Sequence, residues 1–552
     1  MRRIRRFLFG LLAGIALAAC SGDGAPPANR TVFILDAGAS GVIETVNNIL
    51  NMTVVSKDPS DLRAEYRAGF VQGKLQGRTI LSARDNNWDI SYLTDPSHSF
   101  PRQHGPSPAE LQRMAELLNA NYNGFIVHLE NPATDPEVAH RLKRLLFRML
   151  GIYHGATLDQ PAALDFSGTW LPDGSYFRPE ERELGYETPS LSFLDVYLLN
   201  AFSDVMDVIA FSPELAPGGV TNVDYPDKCS AFLKRTASGE IILTHNTWDG
   251  FLSQTMVQTL AVNGDLVTLN AVSPGIIGSN TDFGFNNKGI MFNETTHRAS
   301  RGQAKPNGLW IFWRAALAEQ FAASIDDFFR YISLDNTGTY LNGYMVADAN
   351  TRETGLVEMS YRCFVYYRSN GSAYRVTSQA LDNGVCTTDY DPEMVTPDYL
   401  MGINYPASLQ VRQDLLSTDN RPARRRQFKE QLPGVTDLER AKSVITYTDP
   451  QNPLSIFGRW DLGYGETDYP KQIPDGSIDS KAASTAMVRA FQGLSGTLDL
   501  AAAATGFWML YGTPQVNGVP FVWSQSSWKW QKLRDVPDRV DGVFTLMPLY
   551  LR

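Results

Sequence analysis

The texture of the chain changes at about Cys229, and that change constrains the fold more than any other feature. Before it, apolar residues recur at helical spacing in Pro108 to Leu118, Val138 to Leu150 and Phe193 to Ile209. After it come short strand-like runs, Glu240 to Thr244, Leu266 to Ala271, Gly289 to Phe292, Gly343 to Asp348 and Gly355 to Met359, separated by Gly and Asn turns. A helical stretch, Leu309 to Tyr331, lies among them. Strands followed by helices and more strands predict a layered α+β body. At 552 residues, 43% of them apolar, the chain can bury one large core or two, which excludes a disordered or collagen-like protein. No repeat of solenoid period is visible.

The opening reads as an address. Arg2, Arg3, Arg5 and Arg6 precede an apolar run from Phe7 to Ala19, shorter than the roughly 20 residues a membrane span requires. Leu17-Ala18-Ala19-Cys20 looks like the lipobox of a bacterial lipoprotein, so residues 1–19 are expected to be a signal peptide and 20–30 a tether lipidated at Cys20. Ser21 after that cysteine fits sorting to the outer membrane, giving an expected place in the cell envelope, facing the periplasm or on the outer membrane. Removing the leader changes the balance from 49 Lys plus Arg against 59 Asp plus Glu (−10) to 45 against 59 (−14). So acidic a chain is a poor ligand for phosphate backbones, and nucleic acid is set aside.

Export implies an oxidising compartment. Cys363 and Cys386 flank a Tyr- and Val-rich stretch that reads as a hairpin about Asn370-Gly371, and they form either a disulfide or two separate buried thiols. Asp36-Ala37-Gly38-Ala39-Ser40-Gly41 is similar to a phosphate-binding loop but lacks partner motifs, and reads as a Gly-rich strand-to-helix turn. The sequence has no HExxH, GxSxG or Walker motif and no CxxC metal pattern, and its seven histidines are scattered singly, so no metal and no cofactor are expected. The informative stretch is Lys228-Cys229-Ser230-Ala231-Phe232, a turn at Ser238-Gly239, and a returning strand with His245-Asn246-Thr247-Trp248. That hairpin brings a thiol beside polar and aromatic side chains. A lone cysteine is also a common small core residue.

Further segments extend the pattern: Tyr66 to Gly73, Ser273-Pro274-Gly275 with Asp282-Phe283, Asn293-Glu294-Thr295-Thr296, Asn336 to Asn342, Asn404-Tyr405-Pro406, Asp449-Pro450 with Asn452 to Ser455, Asp475 to Lys481, and Trp523-Ser524. Together and in this order they resemble the phospholipase B-like (lamina ancestor) family. The resemblance implies a four-layer αββα N-terminal nucleophile hydrolase, related to penicillin V acylase and bile salt hydrolase. A mainly helical N-terminal segment, 31–228, would pack on a catalytic segment, 229–552.

It also implies a mechanism. The precursor would cut itself at Lys228-Cys229, the two fragments would stay associated, and the freed α-amino group would serve the Cys229 thiol as base. The thioester acyl-enzyme formed from a (phospho)lipid would then be hydrolysed. An amidase acting on acyl-amides and a non-catalytic envelope lipoprotein that keeps the fold are the rival readings. By family position Asn342 supplies an amide to the oxyanion, or caps a turn. His245 orients or polarises, or is a satisfied sheet histidine; Trp248 covers an acyl chain, or is core. Asn246, Thr295, Thr296 and Arg424 are assigned to substrate binding, although the cluster around Arg424 also reads as a solvated face.

Overall fold

Near the N-terminus of the described chain, Arg30–Asp36 (β1) turns at Ala37-Gly38 and returns as Ala39–Val46 (β2). The Gly-rich segment is therefore a turn between strands, not the strand-to-helix turn expected. Its Asp36 carboxylate is spent on the Gly38 N–H (2.7 Å) and on Arg67. The structure is a computed structural model that describes residues 30–93, 105–211, 229–297, 299–382, 384–419, 422–449, 455–458, 475–495, 505–514, 519–525 and 532–549. Cys20 and Lys228 lie outside the described residues.

After Ile49–Ser56 (β3) come four helices: Asp61–Leu93 (α1), Pro108–Glu130 (α2), Pro136–Thr157 (α3) and Phe193–Phe211 (α4). The start of α2 is sharp because Ser107 and Glu110 form a reciprocal capping box ahead of Pro108. Strands follow as Cys229–Arg235 (β4), Ile241–Gly250 (β5), Met256–Val262 (β6), Leu266–Val272 (β7), Phe283–Asn286 (β8) and Ile290–Thr296 (β9). The expected helix Leu309 to Tyr331 is two, Ile311–Phe321 (α5) and Ile325–Ile332 (α6), because the Ser324 hydroxyl caps a new helix at the Asp327 N–H.

Asn342–Asp348 (β10), Thr354–Met359 (β11), Cys363–Ser369 (β12) and Tyr374–Ala380 (β13) form a meander. Then come Tyr399–Gly402 (β14), Leu409–Leu415 (α7), Pro422–Gln431 (α8), Leu438–Ile445 (α9), Asp475–Ser477 (β15), Asp479–Ser484 (β16), Thr485–Ser495 (α10) and Thr505–Tyr511 (β17). Phe521–Val522 (β18) and Arg539–Val540 (β19) make a two-stranded ribbon, and Thr545–Pro548 (β20) ends the order.

The strands build two sheets. The larger runs β1-β2-β3-β6-β7-β8-β9-β10-β11-β12-β13, and the smaller β14-β4-β5-β16-β17-β20 with β15 on β5. One core lies between α1–α6 and a face of the larger sheet, with Leu145, Phe292, Trp313 and Phe328 fully buried. A second joins the two sheets through Leu243, Leu269, Met291 and Met345 and continues to Phe428 of α8 and Val444 of α9. The layers are thus helix, sheet, sheet, helix. The N-terminal segment is more than a helical layer: β3 pairs in parallel with β6, Leu50 opposite Met256 through Ser56 opposite Val262.

Helices α1 and α3 meet backbone to backbone. A Cβ on Gly151 would lie 2.1 Å from the Tyr66 carbonyl oxygen, and one on Gly69 2.1 Å from that of Arg148. Gly69→Val should therefore force the helices apart and cost about 3 kcal/mol or more, read as a lower urea midpoint with unchanged m-value. At the far edge of the larger sheet, Cys363 and Cys386 are joined in a disulfide across a 23-residue separation. Reducing it should cost about 3 kcal/mol of stability, checked by unfolding with and without reductant.

Candidate active site

Cys229 opens β4 and is 1% exposed. It lies directly opposite Thr247 on β5, while His245 lies opposite both Ala231 and Lys481 of β16. Residues opposite one another in an antiparallel ladder project to the same face, so thiol, hydroxyl, imidazole and ammonium share one side of the smaller sheet. The alternate residues face the outer helices: Phe232 meets the Phe428 ring, and Asn246 reaches the Ile445 carbonyl. The Cys229 side therefore faces the larger sheet, where β9 ends and β10 begins with Thr296 opposite Asn342. Asp282, just before β8, completes the grouping: the ligating atoms of Cys229, His245 and Asp282 all lie within 4.8 Å of one another.

Arg424 is the hub of the backbone around the cysteine. Although its segment reads as a solvated face, Arg424 is fully buried on α8. Its Nη1 donates to the Cys229 carbonyl (2.7 Å), the Asn404 Oδ1 (3.1 Å) and the Ser230 hydroxyl (3.2 Å), and its Nη2 donates to the Ile403 carbonyl. The guanidinium lies 5.0 Å from the centre of the Trp248 ring, within cation–π range. The same Asn404 Oδ1 accepts the backbone N–H of Cys229 (3.1 Å), while its Nδ2 donates to the Thr296 carbonyl (2.7 Å). Asn404 holds a left-handed φ of 62°, a conformation asparagine adopts readily. One amide thus ties the start of β4 to the end of β9.

Burial pushes the Cys229 thiol well up, and the carboxyls of Glu294 and Asp282 push it the same way. The Trp248 backbone N–H and the Lys481 charge act in the opposite direction. The thiol is therefore protonated at rest and needs a base. His245 is driven well down, first by burial and then by Lys481, so its imidazole is neutral. Glu294 is raised well above the usual carboxyl range by burial and by Asp282. Lys481 is fully buried; its Nζ donates to Thr247 Oγ1 (2.6 Å) and the Thr281 carbonyl (2.8 Å) and pairs with Asp479 (2.7 Å).

Asn342 is fully buried, yet neither its amide nitrogen nor its oxygen makes a hydrogen bond of standard geometry among the described residues. It interacts with the Glu294 carboxyl and the Tyr344 hydroxyl, contacts loose enough to leave the amide some capacity for a further partner. Thr296 donates to the Tyr340 hydroxyl (3.0 Å), and Thr295 packs where a Cβ on Gly402 would meet its methyl at 2.6 Å. Asn246 is engaged in backbone strapping: its Oδ1 accepts the Ser230 N–H (2.9 Å) and its Nδ2 donates to the Ile445 and Ile456 carbonyls. A small cavity lined by Asp204, Ser279, Asp282, Phe312, Glu319 and Tyr340 adjoins the cluster through Asp282.

The structure thus brings Cys229 and His245 together on one face, with Asn342 and Thr296 at the adjoining strand ends, while Trp248 projects with the alternate residues and packs its ring against Arg424 on the side of α8. It adds Asn404, Asp282, Glu294, Asp479 and Lys481, to which sequence reasoning gave no role. All five lie in segments that carried the family resemblance, and that was the signal available for them.

Residues 179–541, more than half of the chain, match the family model for Phospholipase B. Phospholipase B-like protein B of Dictyostelium discoideum is 22% identical over 369 residues, covering 61% of each chain. Phospholipase B of Crotalus adamanteus is 25% identical over 356 residues, 58% of this chain and 62% of that one. The chain spans about three fifths of the length of the curated relatives it matches. Among solved structures, a mutant conjugated bile acid hydrolase from Clostridium perfringens is similar over 46% of this chain and 85% of that one, at 11% identity and a TM-score of 0.24, a likeness too loose to bear on chemistry. The chain, with its buried cysteine at the head of β4, belongs to the Phospholipase B family.

Proposed function

We propose that this protein is an acyl hydrolase that cuts itself before Cys229 and then uses the new N-terminal cysteine to remove acyl chains from phospholipids. The observation that carries this reading is the cradle around Cys229, in which Asn404 holds its backbone nitrogen and Arg424 its carbonyl while the thiol faces a buried polar cluster. In the cutting step, Sγ adds to the carbonyl carbon of residue 228 and the C–N bond breaks. The departing nitrogen takes up the thiol proton, and water hydrolyses the resulting thioester.

The freed α-amino group has an unperturbed pKa of about 8. Beside the Arg424 guanidinium the ammonium form is disfavoured, which lowers that value and leaves more neutral amine to accept the thiol proton. The thiolate then attacks the substrate carbonyl, Asn342 donates to the oxyanion, the alcohol leaves with a proton from the ammonium, and water releases the fatty acid. The β3–β6 ladder supports continued association of the fragments, because it would hydrogen-bond them across the cut. The leader supports a lipid anchor on Cys20 holding the protein at the bacterial envelope; Cys20→Ser should release it to the soluble fraction.

The test is intact mass of purified protein followed by a panel of phospholipids and acyl-amides assayed for released acid. Two fragments, the second beginning at Cys229, with fatty acid from phospholipid support the proposal. A chain that stays whole at acidic and neutral pH defeats the processing claim, and turnover of amides alone defeats the substrate claim.

A further inference from the structure

The ligating atoms of Cys229, His245 and Asp282 form a compact sulfur, nitrogen and oxygen set on three different strands and turns, each atom within 4.8 Å of the other two. Around a tetrahedral zinc ion, with bonds of roughly 2.0 to 2.3 Å, such donors sit somewhat closer than that, within reach of side-chain adjustment. All three residues are buried, and neither ring nitrogen of His245 makes a hydrogen bond of standard geometry among the described residues. With the Glu294 backbone as a loose acceptor for one ring nitrogen, the other stays an unpaid desolvation cost, which metal ligation removes. The backbone of Glu294 adjoins the ring, where the second nitrogen of a metal-bound histidine finds its acceptor.

We infer that Cys229, His245 and Asp282 form a binding site for a borderline-soft divalent cation of the zinc class, which blocks the thiol instead of assisting it. The metal replaces the thiol proton, which leaves to solvent, and one S–H bond is exchanged for one metal–sulfur bond. Thiolate and carboxylate together neutralise the dication, so the buried site carries no net charge, and a fourth position remains for water. The donor set disfavours Mg2+ and Ca2+, which take oxygen ligands. A cation held on Sγ withdraws the only free cysteine among the described residues, so the same three side chains serve as a reversible brake on acyl transfer. The site stands whether or not the bond before Cys229 is cut, so its failure and that of the proposed hydrolase are separate results.

The experiment titrates Co2+ into the full, metal-free chain and follows the near-ultraviolet thiolate-to-cobalt band, with bound metal counted per chain. One Co2+ per chain is expected, with a band displaced by Zn2+ but not by Mg2+ or Ca2+. Cys229→Ser should abolish the band, and His245→Gln and Asp282→Asn should each weaken binding at least tenfold. Absence of the band in the wild-type chain overturns the inference without recourse to any variant. A band that persists in Cys229→Ser, or that Ca2+ displaces, overturns it as well.

Discussion

Cys229→Ala should yield a folded, unbroken chain with no measurable hydrolase activity, where the wild type yields two fragments and turns over. The expected loss is complete because both steps run through the same sulfur: without Sγ there is no attack on the preceding carbonyl and no acyl-enzyme. The cost in stability is small by comparison. The thiol is a small side chain at the start of a strand, and Ala removes its contact with the Trp248 N–H but leaves the main grip intact, since Asn404 and Arg424 bind the backbone of residue 229 rather than its sulfur. Losing one buried sulfur costs about 1 kcal/mol, so an unchanged far-ultraviolet spectrum with a slightly lower melting point is expected. An Ala variant that still splits would place the cutting chemistry elsewhere.

Asn342→Ala separates two roles for the amide. If Asn342 waits for a substrate oxyanion, its removal lowers kcat on the order of a hundredfold or more and leaves KM within a few fold, because the donor acts on charge that develops only in the transition state. Stability should change little, since the amide interacts with the Glu294 carboxyl and the Tyr344 hydroxyl but makes no hydrogen bond of standard geometry among the described residues. If instead Asn342 holds the turn into β10, the melting temperature falls and turnover changes little. Kinetics and a melting curve on the same preparation decide between these.

The sequence made the layered α+β body and the strands from Cys229 onward legible because period-2 runs and Gly or Asn turns are local signals. Tyr66 to Gly73 stands out only through family resemblance, and no local signal marks α1 as a helix. Gly69, Gly73 and Gly77 argue against a helix on propensity, yet the first two are needed for backbone contact with α3, and tertiary packing overrides the local preference. The strand β3 is hidden for a related reason, since its partner β6 lies some two hundred residues away. At the site, Cys229, His245 and Trp248 share one hairpin and could be read together. Asn404 follows β14 and Lys481 lies on β16, both brought to the thiol by long-range pairing within the smaller sheet, while Asp282, just before β8, is brought there by the stacking of the two sheets. Arg424 was the hardest case: a run of four arginines in six residues reads as surface, but one of them turns inward to bind backbone carbonyls.

The central claim is that the sulfur of Cys229 carries the acyl group. It is tested most directly by acid-quenching the enzyme during turnover of a slowly hydrolysed acyl ester and weighing the fragments. One acyl mass on the C-terminal fragment, mapped to Cys229 and removed by neutral hydroxylamine, is the predicted result. An acyl group on another residue, or an active chain that has never been cut, would contradict the account.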